Sequence, residues 1–169
     1  GAADSRDITT TTFLALNSVQ LSGLTTTQLK GIGTVNIAAM TTGQFSGLAA
    51  NQISVLAQTQ ISNLSNVVIA DLSSGQLAGF ATTQVRALTT TQINVIATAN
   101  ISGLTTSQIQ AMSTLQIGGM NATTFDSLTS VQMAGLATNQ VRGLSTTKIT
   151  ALSSGQLTGF TSGQIGLLS

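Results

Sequence analysis

The chain has 169 residues, of which only 5% are charged, and its net charge is +1. Because an ordinary soluble domain has about 25% charged residues, the surface of this protein must be polar but nearly neutral. A nucleic-acid-binding protein needs a basic stripe to neutralise phosphates, and binding to anionic membranes needs clustered cations. Five basic and four acidic side chains provide neither, so the sequence predicts no nucleic-acid partner. No apolar run approaches the roughly 18 residues that span a bilayer, which predicts no membrane insertion.

Residues 1–7, GAADSRD, form a charged N-terminal lead that lacks the pattern of the remaining chain and is not a signal peptide. Residues 8–169 form a single repeat array, so we expect one solenoid domain after the lead. The chain contains no Cys, which is compatible with any redox compartment. Its low charge and its abundance of Thr, Ser and Gly favour an extracellular or cell-surface location.

An eight-residue repeat runs from Ile8 to Ser169 without an insertion or a deletion. We number the octad so that residues divisible by eight occupy position 8, and octad 1 comprises residues 9–16. Every residue at position 8 is Leu, Ile, Met or Phe, and every residue at position 5 is Phe, Leu, Ile, Val or Met. Position 4 is Gln in 14 of 20 octads, position 1 is Ser, Thr or Asn in 15 of 21, and position 7 is Gly or Ala in 14 of 20. Each octad therefore carries two apolar residues bordered by a hydroxyl and an amide.

The spacing within the octad predicts a short helix. Positions 5 and 8 are three residues apart, which a helix keeps on one face and a strand does not. The segment Thr25-Thr26-Thr27-Gln28 is a capping box, and the flanking Leu24 and Leu29 form a hydrophobic staple. The same arrangement recurs around Thr41, Thr89, Thr105, Ser113, Thr129, Ser153 and Thr161. We expect an all-α solenoid of very short capped helices, each followed by a sharp bend, because so small a unit is stable only against its neighbours.

A weaker period of 16 residues, equal to two octads, is superimposed on the eight-residue repeat. Position 3 is Val or Leu at five residues that are separated by multiples of this period, namely Val19, Val35, Val67, Leu115 and Val131. The period predicts two octads per coil and about ten coils, with a length of roughly 80–100 Å for helix layers about 8–10 Å apart. The alternative is a β-solenoid with 16-residue coils, because Thr-rich repeats with Ile and Val at position 5 also favour strands. Its strand layers would give roughly 48 Å.

The sequence predicts no catalytic, cofactor-binding or metal-binding residue, and therefore no enzyme. General acid–base catalysis needs a positioned His or paired carboxylates, whereas the chain has no His and its four carboxylates occupy scattered repeat positions. These carboxylates are Asp4, Asp7, Asp71 and Asp126. Three of the five cations share position 6 and are interpreted as aids to solubility, namely Lys30, Arg86 and Arg142. The five Phe residues all fall in the apolar columns and are expected in the core, namely Phe13, Phe45, Phe80, Phe125 and Phe160.

Six octads lack Gln at position 4, and two of these departures bear on the helix cap. Lys148 replaces the Gln of octad 18, which removes one partner of the capping box. The segment Asn66-Val67-Val68-Ile69 of octad 8 also lacks the Gln, which predicts a locally altered cap.

The octads TTTQLKGI, TTSQIQAM and ATTQVRAL resemble the Thr/Gln-rich octapeptide arrays, of the LTTxQI type, in very large secreted or surface proteins of Gram-negative bacteria. The resemblance covers residues 8–169 and is to a style of repeat. It implies a cell-surface, adhesive or matrix role, and it supplies no active-site residues.

Polar capping units usually close the ends of a solenoid, but the last octad, TSGQIGLL, is as apolar as the interior octads. We therefore expect either a segment of a longer array or copies that stack head to tail, which makes a filament or a stalk. The predicted partner is the protein itself, and no small-molecule substrate is evident. The alternative is a surface adhesion or ligand-binding module, including an ice-binding one, because Thr pairs such as Thr25/Thr41 and Thr89/Thr105 could form regular rows.

Overall fold

A computed structural model describes residues 9–168, which form twenty short α-helices, one in each octad. The helices are α1 (Thr10–Leu14), α2 (Ser18–Ser22), α3 (Thr26–Gly31), α4 (Thr34–Ala39), α5 (Thr42–Phe45), α6 (Ala50–Ile53), α7 (Gln58–Ser62), α8 (Asn66–Ala70), α9 (Ser74–Ala78), α10 (Thr82–Ala87), α11 (Thr90–Val95), α12 (Thr98–Ile101), α13 (Thr106–Ala111), α14 (Thr114–Gly119), α15 (Ala122–Asp126), α16 (Ser130–Ala134), α17 (Thr138–Arg142), α18 (Thr146–Thr150), α19 (Ser154–Leu157) and α20 (Ser162–Ile165). This part of the chain contains no strand, so the all-α prediction is confirmed and the β-solenoid alternative is wrong. The predicted charged lead at 1–7 lies outside the described residues.

The capping box determines where each helix begins. In octad 11, Thr89 has an extended backbone with φ −74° and ψ 159°, and its hydroxyl accepts the Gln92 N–H at 3.1 Å. The Thr89 N–H in turn donates to Gln92 Oε1 at 2.9 Å. Two N–H groups that the first turn leaves without helical partners are thus satisfied by one pair of side chains.

The bend between octads comes from two consecutive extended residues. Leu88, at position 8, has φ −64° and ψ 137°, and its N–H closes the end of α10 by donating to the Val85 carbonyl at 3.2 Å. Thr89, at position 1, is also extended and starts α11. No described residue has a positive φ, so the chain turns at every octad without a left-handed residue.

One coil of the solenoid contains about three and a half octads. Each helix contacts the helix three octads earlier, as α11 contacts α8, while the Gln at position 4 reaches the end of the helix four octads earlier. Hydrogen bonds between coils join residues that are 25 to 31 positions apart, with 28 the commonest separation. The period of one coil is therefore about 28 residues, and each helix lies over the bend between two helices of the preceding coil.

The prediction of two octads per coil, and with it about ten coils, is wrong. Residues 9–168, at about 28 residues per coil, make fewer than six coils, or about 45–57 Å of stacked helices at 8–10 Å per layer. The two-octad period does not report the size of the coil, because the residues at position 3 face solvent. Its five large apolar residues are 65% to 80% exposed, so their spacing is unrelated to the packing of coils.

Positions 5 and 8 line one continuous core that follows the axis of the solenoid. The core extends from Phe13 to Phe160, and position 5 is fully buried in most octads. All five Phe residues lie in it, as the sequence predicted. Position 8 packs beside position 5 from the neighbouring octads, so most octads contribute both of their large side chains to a core that no single octad could form.

Candidate functional site

Glutamine at position 4 joins three parts of the solenoid. In octad 10, Gln84 Oε1 accepts the Ala81 N–H at 2.7 Å and so caps its own helix. Its Nε2 donates to the carbonyl oxygens of Ile53 and Leu56, both at 2.7 Å and both in the preceding coil. The Gln84 side chain is buried. An amide suits this position because it is at once an acceptor and a twofold donor.

The donation from Nε2 to the preceding coil recurs in twelve octads, and we call these contacts the glutamine staples. The donors are Gln44, Gln52, Gln60, Gln76, Gln84, Gln92, Gln108, Gln116, Gln132, Gln140, Gln156 and Gln164. Their acceptors are carbonyls at the ends of helices. The carbonyl at position 5 also accepts the position-8 N–H of its own octad, as the Ile53 carbonyl accepts the Leu56 N–H at 3.1 Å. The capping pattern predicted only the acceptor half of this amide, because the donor half depends on a coil that is remote in sequence.

Two substitutes at position 4 keep the staple. Asn100 Nδ2 donates to the Leu72 carbonyl at 3.0 Å. Lys148 Nζ donates to the carbonyls of Gly118 and Met120 at 2.9 and 2.8 Å, and it lies 5.5 Å from the centre of the Phe125 ring. Lysine is a donor only, so the predicted loss of its capping-box partner is confirmed and the link between coils is retained.

Octads 8 and 15 have no amide at position 4. In octad 8 the buried Val68 occupies that position, and Ser65 keeps only the hydroxyl half of the cap, which confirms the predicted altered cap. In octad 15 the residue is Thr124, and the acceptor for the N-cap comes from the preceding coil. Asn94 Oδ1 accepts the Asn121 N–H at 2.8 Å, while Asn94 Nδ2 donates to the Gly119 carbonyl at 2.9 Å. An Asn on the neighbouring coil thus replaces the missing Gln.

Glycine at position 7 permits close contact between coils. A Cβ added to Gly103 would lie 2.4 Å from the Ser74 carbonyl oxygen and 2.5 Å from the Ser74 Cα. Ser74 is at position 2 of the octad three places earlier, and similar approaches occur at Gly47, Gly79 and Gly159. At these four octads the glycine is thereby explained, since a side chain would collide with backbone of the preceding coil.

The C-terminal face of the solenoid exposes part of the core. Every position-5 residue from Phe13 to Val141 is buried, because the coil that follows covers it. At the last two octads the equivalent residues, Leu157 and Ile165, are 43% and 45% exposed. We use the term C-terminal face for the surface formed by Ile149, Leu157 and Ile165.

The Thr pairs that suggested a regular row do not lie on successive coils. Thr25 and Thr41 are two octads apart, as are Thr89 and Thr105, and this is little more than half of a coil. Their hydroxyls also serve as helix caps, since each accepts the N–H of the Gln at position 4 of its own octad. The arrangement therefore offers no row of stacked threonines at these positions.

The two described carboxylates do not come together. Asp71 and Asp126 are exposed and lie in different coils. Among residues 9–168 there is no group of three or more His, Cys, Asp or Glu side chains that could hold a metal ion. None of the described helices has the length and apolar character needed to cross a membrane.

A longer repeat of seven octads, which equals two coils, becomes visible once the coil size is known. Thr12, Val68 and Thr124, all lacking the position-4 amide, follow one another at intervals of seven octads. The cations Lys30, Arg86 and Arg142 follow the same interval. Because two coils of three and a half octads each contain seven octads, residues at this interval return to the same side of the solenoid.

Comparison with known proteins agrees with the repeat architecture. Residues 69–106 and 133–169 match the ALTTAQ repeat. Within the first match, Ala87-Leu88-Thr89-Thr90-Thr91-Gln92 spans the bend, the N-cap and the staple residue of octad 11. No curated protein matches the chain. The protein is therefore a Thr/Gln-rich octapeptide array of the LTTxQ type, folded as a helical solenoid, and two of its segments match the ALTTAQ repeat family.

Proposed function

We propose that this protein is a non-enzymatic structural element, a filament subunit or stalk segment at the bacterial cell surface, whose copies stack end to end. The observation that carries the proposal is the C-terminal face. Leu157 and Ile165 are nearly half exposed, whereas the equivalent residues of every octad from 1 to 17 are buried by the following coil. Because every interior coil covers this surface on the coil before it, the favoured partner for the C-terminal face is a coil of the same kind from a second copy.

The first described coil offers a matching surface. Leu16 and Leu24, at position 8, are only partly buried, whereas position 8 is buried from Ile32 to Leu144. Gln20 is exposed, and within the described residues its Nε2 has no carbonyl partner in another coil. A second copy placed on the C-terminal face would therefore bring an amide donor toward the carbonyls at the end of that face. Such a head-to-tail contact does not close, so it propagates into a filament.

The end-to-end contact is tested by charging the C-terminal face. A Leu157→Lys, Ile165→Lys variant places two cations in the proposed contact, and we expect its association to weaken by more than about tenfold, which corresponds to about 1.4 kcal/mol. The matched control is Leu115→Lys, Val131→Lys, since these residues are 80% and 65% exposed on the sides of the interior coils. Sedimentation velocity and negative-stain electron microscopy measure the outcome. Wild-type protein that stays monomeric at high concentration, or equal association of both variants, would overturn the proposal.

The cell-surface location is supported by composition and by the resemblance to secreted arrays. A surface with few charges and many hydroxyls is typical of such repeats, and the absence of Cys avoids unwanted disulfides outside the cell. Antibody labelling of intact producing cells tests this part. Signal that appears only after the cells are permeabilised would contradict it.

A further inference from the structure

Five of the six charged side chains among the described residues lie in two rows on opposite sides of the solenoid, and the sixth, Lys148, lines a groove with Asp126. Lys30, Arg86 and Arg142 are seven octads apart, or two coils, so they form one row along the axis, which we call the basic row. Asp71 and Asp126 are separated by one position less than seven octads and form a second row with nearly the same interval, the acidic row. All five side chains are exposed.

The two rows face away from each other. Asp126 precedes Arg142 by two octads, and Asp71 precedes Arg86 by one position less than two octads. One coil contains about three and a half octads, so both separations are slightly more than half of a coil. Each Asp therefore lies on the far side of the solenoid from the Arg that follows it. Within residues 9–168 the five groups therefore form no ion pair with one another.

We infer that the basic row is a lateral docking surface for the acidic row of a second copy of this chain. Two coils of packed helices rise about 16–20 Å, and both rows repeat at this interval. A second copy that brings one Asp against one cation therefore brings its other Asp against the next cation. The pairing uses the basic row on one copy and the acidic row on its neighbour, so each copy keeps one row for a further neighbour.

The surroundings of the basic row can accept a side chain. Arg86 borders a groove with Gln58 of the preceding coil and with Thr83. At the equivalent position two coils later, Arg142 borders a groove lined by Gln110, Thr138 and Asn139. The groove at Arg86 is mainly polar, and the groove at Arg142 combines polar side chains with Ala134, Leu136 and Ala137. A carboxylate that enters either groove meets a guanidinium beside hydroxyl and amide groups. Exposed ion pairs are individually weak, so the lateral contact of two isolated copies is transient.

A zero-length cross-link detects such a transient contact. Carbodiimide activates an Asp carboxylate, and an amine that touches it displaces the urea and forms an amide. Arginine does not react in this way, so the probe is the Arg86→Lys, Arg142→Lys variant, which keeps the charge and adds amines beside Lys30. An equal mixture of unlabelled and ¹⁵N-labelled protein shows by mass spectrometry which links join different copies. We expect links from residues 30, 86 and 142 to Asp71 and Asp126.

Two controls keep the proposal testable. Asp71→Asn, Asp126→Asn should reduce the links between copies at least tenfold, as should NaCl at about 0.5 M, where the screening length is only about 4–5 Å. Lys148 is the internal reference, because its Nζ is held by the carbonyls of Gly118 and Met120 and it lies outside the basic row. Links that form equally through Lys148, links that persist after both Asp→Asn changes, or no links between copies would each overturn the lateral surface. The Leu157→Lys, Ile165→Lys variant should keep these links, so failure of end-to-end stacking remains distinguishable.

Discussion

Gln84 Nε2 lies 2.7 Å from the Ile53 carbonyl oxygen, across 31 positions of sequence, and this contact links one coil to the next. The interior of a helical solenoid holds many carbonyls at helix ends, and each must find a donor. In most octads the repeat meets this demand with one amide at position 4. The polar residue of the octad is therefore as much a part of the packing between coils as the two apolar ones.

Removing the Gln84 staple should destabilise the protein strongly. Gln84→Ala leaves the Ala81 N–H and the Leu56 carbonyl without a partner, and it leaves the Ile53 carbonyl with only the Leu56 N–H. An unpaired buried polar group costs about 1–3 kcal/mol, so the free energy of unfolding should fall by at least about 2 kcal/mol. Urea denaturation followed by far-UV circular dichroism measures the change, since the chain has no Trp or Tyr for fluorescence.

Two reference variants separate the roles of the amide. Gln84→Lys should recover part of the loss, because Lys148 makes the donation between coils in octad 18. Gln20→Ala removes a Gln that accepts the Asn17 N–H and is exposed, so it should cost less than about 1 kcal/mol. Equal losses for Gln20→Ala and Gln84→Ala would contradict a stabilising role for the staple.

The second prediction concerns the contact of Gly103 with Ser74. Gly103→Ala would place Cβ 2.4 Å from the Ser74 carbonyl oxygen, and because the obstacle is backbone, the coils must move apart. We expect a loss of about 1–3 kcal/mol, as for other overpacked sites. The matched control is Gly75→Ala in α9, where nothing lies within 4 Å of the added Cβ. That change should stabilise the helix by about 0.4–1 kcal/mol, and thermal unfolding distinguishes the opposite signs. Stabilisation by both changes would show that the close contact does not limit packing.

The local structure of each octad could be predicted from the sequence, whereas the size of the coil could not. The pattern at Thr89 and Gln92 specifies a capped helix through contacts three residues apart, and the structure places those contacts as predicted. Positions 5 and 8 repeat in every octad, so they are equally compatible with coils of two, three or four octads. Only departures from the repeat carry the missing information. The seven-octad intervals of Thr12, Val68 and Thr124 and of the basic row are such a signal, but they can be interpreted only once the coil is known.

The third prediction tests whether Asn94 compensates for the missing amide of octad 15. Asn94→Ala removes the acceptor of the Asn121 N–H and the donor to the Gly119 carbonyl, which should cost about 1–2 kcal/mol. Thr124→Gln supplies an acceptor within octad 15, so Asn94→Ala should cost less in that background. A double-mutant cycle measures this coupling, for which about 0.5–1 kcal/mol is expected. Additive effects would mean that Asn94 does not replace the absent Gln.

The fourth prediction completes a half-formed cap. Ala81 starts α10 with φ −66° and ψ 152°, close to the −71° and 160° of Ser73, which starts α9. Gln84 already accepts the Ala81 N–H, but alanine has no side-chain oxygen, so the Gln84 N–H donates to the main-chain carbonyl of Ala81 at 2.9 Å. Ala81→Ser adds a side-chain acceptor without a change of backbone, so it should stabilise the protein by about 0.5–1 kcal/mol.

Ala99→Ser, on an exposed residue inside α12, adds a hydroxyl where no cap is needed and should be neutral or slightly destabilising. A gain at Ala81 without a gain at Ala99, measured by urea denaturation, would identify the cap as the source of the added stability, because both changes add one hydroxyl and only Ala81 is an N-cap residue.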